Sequence, residues 1–344
     1  GTIAYAAGIT KIYGYAGDVL DASNFSDGDA STDTDRSLDF IVDSAAIAAT
    51  VDITGRTQLG RSGMNRILLT SISQDVDDTM FANKDVIEAL VLTGGTNNVT
   101  LAGNAAHAGI VNVFGGSAND SLTIDTSVVG NIHFNGGGQS IFDSVKFSND
   151  GVTLTNDAAF FDAWSSVERL TTGNGNNSLT LGANANTAGI ATVIGGTGND
   201  TFNASAYTIA STLIGGDGND SLLSGAANDS ITGGAGTDWL QGTSATSAGS
   251  NQIDTLTGGI GADTFVLGDA NNAYYDTAAS GGDYAIITDF ANGDRLRLKT
   301  LDPAAAGNGY LIGNAIYGAV GSSNYYIYRD SNNNLSLIHI SEPT

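Results

Sequence analysis

Seven aspartates in this sequence share the same local surroundings, and carboxylates in such a setting are suited to binding a hard divalent cation. Each aspartate is the sixth residue of a nine-residue phrase that opens with small residues, mostly glycine, and places a large apolar residue two positions after the aspartate. Charged oxygen atoms are the ligands that Ca²⁺ prefers. The predicted ligand aspartates are Asp120, Asp200, Asp220, Asp229, Asp238, Asp254 and Asp263.

The phrase predicts a turn followed by a short strand. Glycines allow positive φ and let backbone carbonyls turn inward, and the apolar eighth residue is expected to point into the core from a strand whose neighbours point outward. Two such phrases close one coil. The phrase is complete at Gly195–Asn203, Gly215–Leu223, Gly233–Gln241 and Gly258–Val266, and looser at Gly115–Thr123, Ser224–Thr232 and Gly249–Thr257.

The spacing of the aspartates predicts which of them stack on successive coils. Asp220 and Asp238 are separated by the length of two phrases. The interval from Asp238 to Asp263 and the interval from Asp229 to Asp254 are both longer, because each contains the same seven extra residues around Thr243–Gly249. If those residues bulge outward, the aspartates of both pairs still stack on successive coils. The interval from Asp200 to Asp220 is slightly longer than two phrases and fits a coil with one longer turn.

The phrase resembles the RTX (repeats-in-toxin) haemolysin-type calcium-binding repeats, whose consensus is typical of a parallel β-helix. The resemblance implies Ca²⁺ ions between stacked loops, held by glycine-loop carbonyls and by the aspartates. The loops that end at Asp229 and Asp254 lack key glycines, and we expect weaker or empty sites there. The matching glycines are Gly196, Gly198, Gly216, Gly218, Gly234, Gly236, Gly259 and Gly261.

A flexible Gly/Asp linker is the alternative explanation of this composition. It is disfavoured because a linker has no reason to keep an apolar residue two places after every aspartate.

The charge balance restricts the partners. The chain has 344 residues, 36 of them acidic and 12 basic, for a net charge of −24. Nucleic acid and anionic membrane surfaces are therefore excluded as partners, and self-repulsion opposes compaction unless cations bind. There is no cysteine, so calcium rather than disulfides is expected to stabilise a secreted chain. No apolar run approaches the roughly 18 residues of a membrane span.

A second and much longer repeat, which we call the long repeat, precedes the complete phrases. Thr96–Gly116 matches Gly175–Gly196 at positions such as Leu101 and Leu181, and a third copy is cut off at the start of the chain. Each copy predicts a few solenoid coils of short strands. We also predict a short helix at Asp77–Leu90 and a short helix or turn at Ala102–Ala108.

These patterns together predict an all-β fold: a right-handed parallel β-solenoid that ends in a calcium-binding β-roll with a short antiparallel C-terminal cap. Tyr284–Lys299 is interpreted as two strands joined by a turn, and Ile338–Thr344 resembles foreign sequence. The predicted segments are a truncated repeat (1–25), an irregular insertion (26–75), two solenoid repeats (76–155 and 156–212), the β-roll (213–267) and a cap or secretion-related segment (268–344).

Catalytic signals are absent from the sequence. It has neither a His-Glu-x-x-His zinc motif nor a Gly-x-Ser-x-Gly elbow, and it has no thiol nucleophile. His107 and His133 are expected to be exposed or packed rather than catalytic. A carboxylate pair of the polysaccharide-cleaving kind stays open, although few Lys or Arg residues accompany the solenoid, which disfavours a glycan lyase.

Two function classes remain. In the first, the chain is a structural, non-enzymatic, calcium-binding segment of a secreted bacterial surface protein of the adhesin or S-layer type, which folds on Ca²⁺ after type I secretion. Its partners would be calcium, cell-surface glycan or other copies of itself. In the second, it is the C-terminal folding and export module of a secreted protease, lipase or glycan-acting enzyme. The long repeats favour the first class, because an export tag does not need them.

Overall fold

The computed structural model describes residues 11–21, 38–49, 51–54, 64–71, 73–125, 132–137, 143–155, 160–162, 164–243, 252–268, 274–275, 284–297, 316–320, 323–329 and 335–341, with side chains up to residue 297. The chain divides into two compact units. Unit 1 comprises Gly1–Ser148 and Ala159–Arg169, and unit 2 comprises Asn149–Ala158 and Leu170–Thr344.

The described part of unit 1 consists mainly of short strands. It also contains the helices α1 (Ala45–Ala48) and α2 (Gly103–Ala108) and a 3₁₀ turn at Asp78–Phe81. The strands are β1 (Lys11–Tyr13), β2 (Val19–Asp21), β3 (Leu38–Val42), β4 (Asp52–Thr54), β5 (Asn65–Leu69), β6 (Asp75–Val76), β7 (Lys84–Asp85), β8 (Ala89–Val91), β9 (Asn98–Leu101), β10 (Asn112–Gly116), β11 (Ser121–Ile124), β12 (His133–Gly137) and β13 (Ser144–Phe147).

The strands of unit 1 stack in parallel, as a solenoid requires. One sheet has the order β1-β3-β5-β8-β10-β12, a second is β2-β4-β7, and β6-β9-β11-β13 form a third row. Directly paired residues on the first sheet form one buried apolar column, because alternate residues of each strand face inward. Its members are Ile12, Phe40, Ile67, Leu90, Val113 and Phe134.

Two predictions for unit 1 differ from the structure. The described residues within 26–75 are not irregular, because β3 and β5 pair in parallel in the six-stranded sheet. The helix predicted over Asp77–Leu90 is limited to the 3₁₀ turn, which Asp77 caps as expected by accepting the N–H of Thr79. After that turn the chain enters β7 and then β8. Phe81, at the end of the turn, and Ile87, between the two strands, are both buried. The helix predicted near Ala102–Ala108 is present as α2.

Unit 2 is also built mainly of short strands that pair in parallel. It contains one helix, α3 (Ala183–Ala188), in its described part. The strands are β14 (Thr153–Leu154), β15 (Arg169–Thr171, at the unit boundary), β16 (Ser178–Thr180), β17 (Thr192–Ile194), β18 (Thr201–Asn203), β19 (Thr212–Asp217), β20 (Ser221–Leu223), β21 (Ser230–Gly236), β22 (Trp239–Gln241), β23 (Ile253–Gly261), β24 (Thr264–Val266), β25 (Tyr284–Ile287), β26 (Arg295–Arg297), β27 (Ile316–Val320), β28 (Ser323–Arg329) and β29 (Leu335–Ser341).

Two parallel rows of strands enclose the core of unit 2. One row is β14-β16-β18-β20-β22-β24-β26, and the other runs from β15 through β17, β19, β21 and β23 to β25. The apolar eighth residues of the phrases point inward on both rows, as predicted. Those on the first row are Phe202, Leu222, Leu240 and Phe265, and those on the second are Ile231 and Leu256. The predicted all-β parallel solenoid ending in a β-roll is confirmed.

The end of the roll differs in detail from the prediction. The expectation for Tyr284–Ile287 and Arg295–Arg297 is that they pair with each other in antiparallel fashion. Instead β25 pairs in parallel with β23, and β26 pairs in parallel with β24, so this segment is one further coil. The antiparallel part begins after it, where β29 pairs with β25 and β28, and β27 with β28.

Candidate metal centre

The aspartates of the four complete phrases form one hydrogen-bonded ladder in unit 2. In each step the backbone N–H of one aspartate donates to Oδ1 of the aspartate on the next coil. The donor–acceptor distances are 2.7 Å from Asp200 to Asp220, 2.8 Å from Asp220 to Asp238 and 2.9 Å from Asp238 to Asp263. The predicted stacking register is therefore present. We call Asp200, Asp220, Asp238 and Asp263 the strict row.

The second carboxylate oxygen distinguishes the members of the strict row. In Asp220, Asp238 and Asp263 the Oδ2 atom is buried and has no hydrogen-bond partner among the described residues. Each of these side chains is at most 2% exposed. Burying a charged oxygen without a hydrogen-bond partner lowers the stability of the fold by on the order of 1–3 kcal/mol or more. A cation bound next to these Oδ2 atoms would offset that cost. In Asp200 the Oδ2 atom accepts the N–H of Gly196 at 3.3 Å.

The first glycine of each phrase makes room for this oxygen. A Cβ on Gly215 would lie 2.1 Å from Oδ2 of Asp220, and a Cβ on Gly233 would lie 2.2 Å from Oδ2 of Asp238. Any side chain at these positions would push the carboxylate out of the turn. The phrase therefore begins with glycine because its own aspartate folds back over it.

The later glycines bring successive turns into close contact. Gly234 has φ +127°, and a Cβ there would lie 1.9 Å from the carbonyl oxygen of Gly216 on the preceding coil; Gly236 has the same relation to the carbonyl of Gly218. These carbonyl oxygens thus lie between stacked turns, beside the carboxylates. Of the eight predicted ligand glycines, those with positive φ are Gly198, Gly216, Gly218, Gly234, Gly236, Gly259 and Gly261.

Burial makes the carboxylates of Asp220, Asp238 and Asp263 resist ionisation when no cation is bound. Burial raises the pKa of Asp220 to about 6, with the neighbouring charges of Asp238, Asp200 and Asp217 adding to it. Burial raises the pKa of Asp238 to about 6 as well, and Asp263 adds to the shift. The pKa of Asp263 is raised by burial and by Asp294 and Asp289. A bound cation would reverse this preference, because it favours the ionised form.

The ladder extends beyond the phrases at both ends. The N–H of Asp263 donates to Oδ1 of Asp294 at 2.9 Å, and the N–H groups of Gly258 and Gly259 donate to the carboxylate of Asp289. At the other end, the N–H of Asn177 donates to Oδ1 of Asp200 at 2.8 Å. Asp289 and Asp294 were not predicted as members of this ladder, because the phrase is broken in their segment.

The looser phrases of unit 2 form a separate ladder, which we call the loose row. The N–H of Ser211 donates to Oδ1 of Asp229, and the N–H of Asp229 donates to Oδ1 of Asp254 at 2.9 Å. Here the Oδ2 atoms have protein partners. Oδ2 of Asp254 accepts from the Tyr275 hydroxyl (2.7 Å) and from the Gln252 amide (3.0 Å).

Asp229, the other member of the loose row, is also hydrogen-bonded at both oxygens. Its Oδ1 accepts the Ser211 hydroxyl at 2.8 Å in addition to the Ser211 N–H, and its Oδ2 accepts the N–H of Gly225 at 3.2 Å. The predicted metal ligands Asp229 and Asp254 are therefore stacked as expected, but their carboxylate oxygens already accept hydrogen bonds from protein groups.

The predicted ligand Asp120 lies in a comparable ladder in unit 1. Its Oδ1 accepts the N–H of Asn97, its Oδ2 accepts the N–H of Gly116 at 2.7 Å, and its own N–H donates to Asp143. The N–H of Asp143 in turn donates to Glu168. Both oxygens of Asp120 accept hydrogen bonds from backbone N–H groups. Asp120 therefore joins neighbouring coils as the strict-row aspartates do, but it has no unpartnered oxygen.

An exposed asparagine ladder, which was not predicted, runs beside the strict row. The N–H of Asn199 donates to Oδ1 of Asn176, the N–H of Asn219 to Asn199 (2.7 Å), and the N–H of Thr237 to Asn219 (2.7 Å). These bonds run toward the preceding coil, whereas the aspartate bonds run toward the next coil. Each turn is therefore hydrogen-bonded to the preceding coil by the N–H of its fifth residue and to the next coil by the N–H of its aspartate. The sequence signal was the recurrent asparagine in the fifth position of the phrase.

The donor set of the strict row fits Ca²⁺. Among the described residues no group of three or more carboxylate or histidine side chains converges. Backbone carbonyls would thus have to supply most of the ligands, as the close approach of the turn glycines allows. The residues that would hold the ion are Asp220, Asp238 and Asp263, with the turn glycines stacked beside them. Bound there, the ion would neutralise carboxylates that burial otherwise disfavours.

Comparison with known protein families agrees with this site. A family model described as the RTX calcium-binding nonapeptide repeat matches in four copies, over residues 186–206, 211–244 and 246–274. The matched segments contain all six aspartates of the strict and loose rows. Comparisons with curated proteins and with solved structures find no match. Within the part of the chain that the structure describes, no helix is long and apolar enough to cross a membrane.

Proposed function

We propose that this chain, which carries RTX calcium-binding nonapeptide repeats, is a structural segment of a secreted bacterial surface protein of the adhesin or S-layer type, and that it folds when it binds Ca²⁺ outside the cell. The observation that carries the proposal is the row of buried Oδ2 atoms of Asp220, Asp238 and Asp263, which lack a partner among the described residues. A fold with such a row is disfavoured without a cation.

Folding and metal binding are coupled in this proposal. The chain has a net charge of −24, and repulsion between its like charges opposes compaction. The raised pKa values of Asp220 and Asp238 mean that the folded roll disfavours their ionised forms. In the calcium-poor cytosol the chain would stay unfolded and exportable as a thread, as in type I secretion. Outside, sites of the extracellular class, with Kd of roughly 10⁻⁴–10⁻³ M, would fill and the coils would stack.

The long repeat supports the structural assignment over an export tag. The segments around α2 and α3 have the same local build, with each helix ending at a glycine in the left-handed conformation, Gly109 (φ 94°) and Gly189 (φ 99°). Repetition of one module extends a solenoid and adds surface for self-association or glycan contact. We assign no catalytic step to the chain.

The alternative, a C-terminal folding and export module of a secreted enzyme, uses the same calcium row. The matched nonapeptide repeats agree with either role. Sequence upstream in the parent protein separates them: further copies of the long repeat support the surface protein, and a catalytic motif supports the enzyme.

The test of calcium-driven folding is far-UV circular dichroism of the full chain during titration from chelator into Ca²⁺, with Mg²⁺ as the control cation. We expect a transition to a β-rich spectrum in Ca²⁺ alone. The double variant Asp220→Ala plus Asp238→Ala should require more Ca²⁺ or fail to fold. A β-rich spectrum that is the same in chelator and in Ca²⁺ would contradict the proposal.

A further inference from the structure

The two rows of the roll satisfy their carboxylates in different ways, although they stack equally well. In the strict row, Asp220, Asp238 and Asp263 each use Oδ1 for a backbone N–H and leave Oδ2 without a partner among the described residues. In the loose row, both oxygens of Asp229 and Asp254 accept hydrogen bonds. Since all five side chains are at most 3% exposed, solvent access does not explain the contrast.

The donors at Asp254 are built into the core rather than placed there incidentally. Tyr275 is 1% exposed, Gln252 is 3% exposed and Asp254 is fully buried. The tyrosine hydroxyl and the glutamine amide approach the same Oδ2 atom, at 2.7 and 3.0 Å. Gln252 also donates to the carbonyl of Gly225 at 3.1 Å. The amide thereby joins the turn of one loose phrase to the carboxylate of the next.

The sequence supports the same division. Every complete phrase lies on the strict row and every loose phrase of unit 2 lies on the other, because complete and loose phrases alternate along the roll from Gly215 onward. The loose turns lack the glycines whose missing side chains let carbonyl oxygens approach one another. Tyr275 lies outside all the phrases, just past the last segment that the family model matches.

We infer that the roll binds calcium along the strict row only, and that the Tyr275 hydroxyl and the Gln252 amide take at Asp254 the place that a cation would otherwise occupy. The loose row is then held by hydrogen bonds that do not depend on calcium. The missing glycines of the loose phrases predict weaker or empty sites on this row, and the structure adds the protein groups that take the place of the ion. This inference rests on the proposed function, since it presumes that the strict row is a calcium site.

The test counts and locates the ions bound by the full chain. Bound Ca²⁺ is counted by equilibrium dialysis and elemental analysis for the unaltered chain, for Asp254→Asn and for Asp238→Asn, with folding of each checked by circular dichroism. We expect Asp254→Asn to hold as many ions as the unaltered chain and Asp238→Asn to hold fewer. Equal losses in the two variants would overturn the inference.

A second measurement covers the case in which Asp254→Asn does not fold. Crystals of the unaltered chain grown with Tb³⁺ in place of Ca²⁺ should show anomalous peaks beside Asp220, Asp238 and Asp263. A peak between the turns that end at Asp229 and Asp254 would overturn the inference and leave the proposed function intact. An unaltered chain that binds no ion in either experiment would instead contradict the proposed function.

Discussion

The backbone N–H of Asp220 donates a 2.8 Å hydrogen bond to Oδ1 of Asp238, while the other oxygen of Asp238 is buried without a partner among the described residues. One carboxylate thus has two tasks: it fixes the register of neighbouring coils, and it presents a charged oxygen inside the turn. The first task stabilises the fold at any calcium concentration. The second opposes folding until a cation binds, so calcium dependence and coil register are properties of the same side chain.

Replacing Asp238 by asparagine should weaken calcium binding while keeping the coil register. Asparagine retains one acceptor for the N–H of Asp220 but loses the charge that faces the turn. We expect a loss of about 1.4 kcal/mol or more, which raises the calcium midpoint by roughly tenfold. Isothermal titration calorimetry measures the calcium affinity of the variant and of the unaltered chain. Asp85→Asn is the matched control, because Asp85 lies exposed on β7 of unit 1 and its change should leave the midpoint almost unaltered.

The metal-free roll should lose stability as the pH rises. The folded-state pKa values of Asp220 and Asp238 are raised to about 6, and burial raises that of Asp254 to about 7. A carboxyl with a raised folded pKa contributes most below its unfolded value of 3.8, and the contribution is lost as the pH passes through the folded value. Far-UV circular dichroism in chelator should thus show more β structure at about pH 4.5 than at about pH 7.5.

Calcium should reverse this trend. Binding requires ionised carboxylates and so releases protons, which means that the calcium midpoint should fall as the pH rises over the same interval. A metal-free protein that became more stable toward the upper end of that interval would show that the buried carboxylates do not control folding.

Gly234→Ala should be strongly destabilising. Its φ of +127° is unfavourable for alanine, and the new Cβ would lie 1.9 Å from the carbonyl oxygen of Gly216. We expect a cost of about 2 kcal/mol or more, measured by urea unfolding in saturating calcium. The control is Gly103→Ala at the start of α2, where a Cβ would meet nothing within 4 Å. That variant should keep or slightly raise the stability.

Asn219→Ala tests the asparagine ladder separately from the metal row. The change removes the acceptor for the N–H of Thr237, but this N–H lies at an exposed turn where water can replace the amide. We therefore expect a loss of only about 0.5–1 kcal/mol, with the number of bound calcium ions unchanged. Thr237→Ala, which keeps the backbone donor, is the control. A drop in the ion count for Asn219→Ala would place Asn219 at the metal instead.

The coil register could be predicted well because the phrase encodes it twice. The intervals between the strict-row aspartates predict which coils meet, and the apolar eighth residues, such as Phe202 and Leu240, identify the inward face. Both patterns depend only on local chain geometry, so they can be recognised without coordinates.

Other features depend on contacts that no local pattern records. Asp294 joins the ladder from a segment in which the phrase is broken, so its strand was assigned to an antiparallel cap. Phe40 and Ile67 lie in solenoid strands whose turns carry no repeat. Tyr275 reaches Asp254 from outside the phrases. The glycines missing from the loose phrases already predict weaker or empty sites at Asp229 and Asp254, but the donors that fill the loose row could not be predicted.

Hydrogen exchange at the amides of Asp200, Asp220 and Asp238 measures whether calcium orders the strict row, because these N–H groups donate to the carboxylates proposed to hold calcium. We expect fast exchange in chelator and strong protection in saturating Ca²⁺, with Mg²⁺ giving little protection. Equal protection of the three amides in chelator and in Ca²⁺ would contradict calcium-driven folding of the roll.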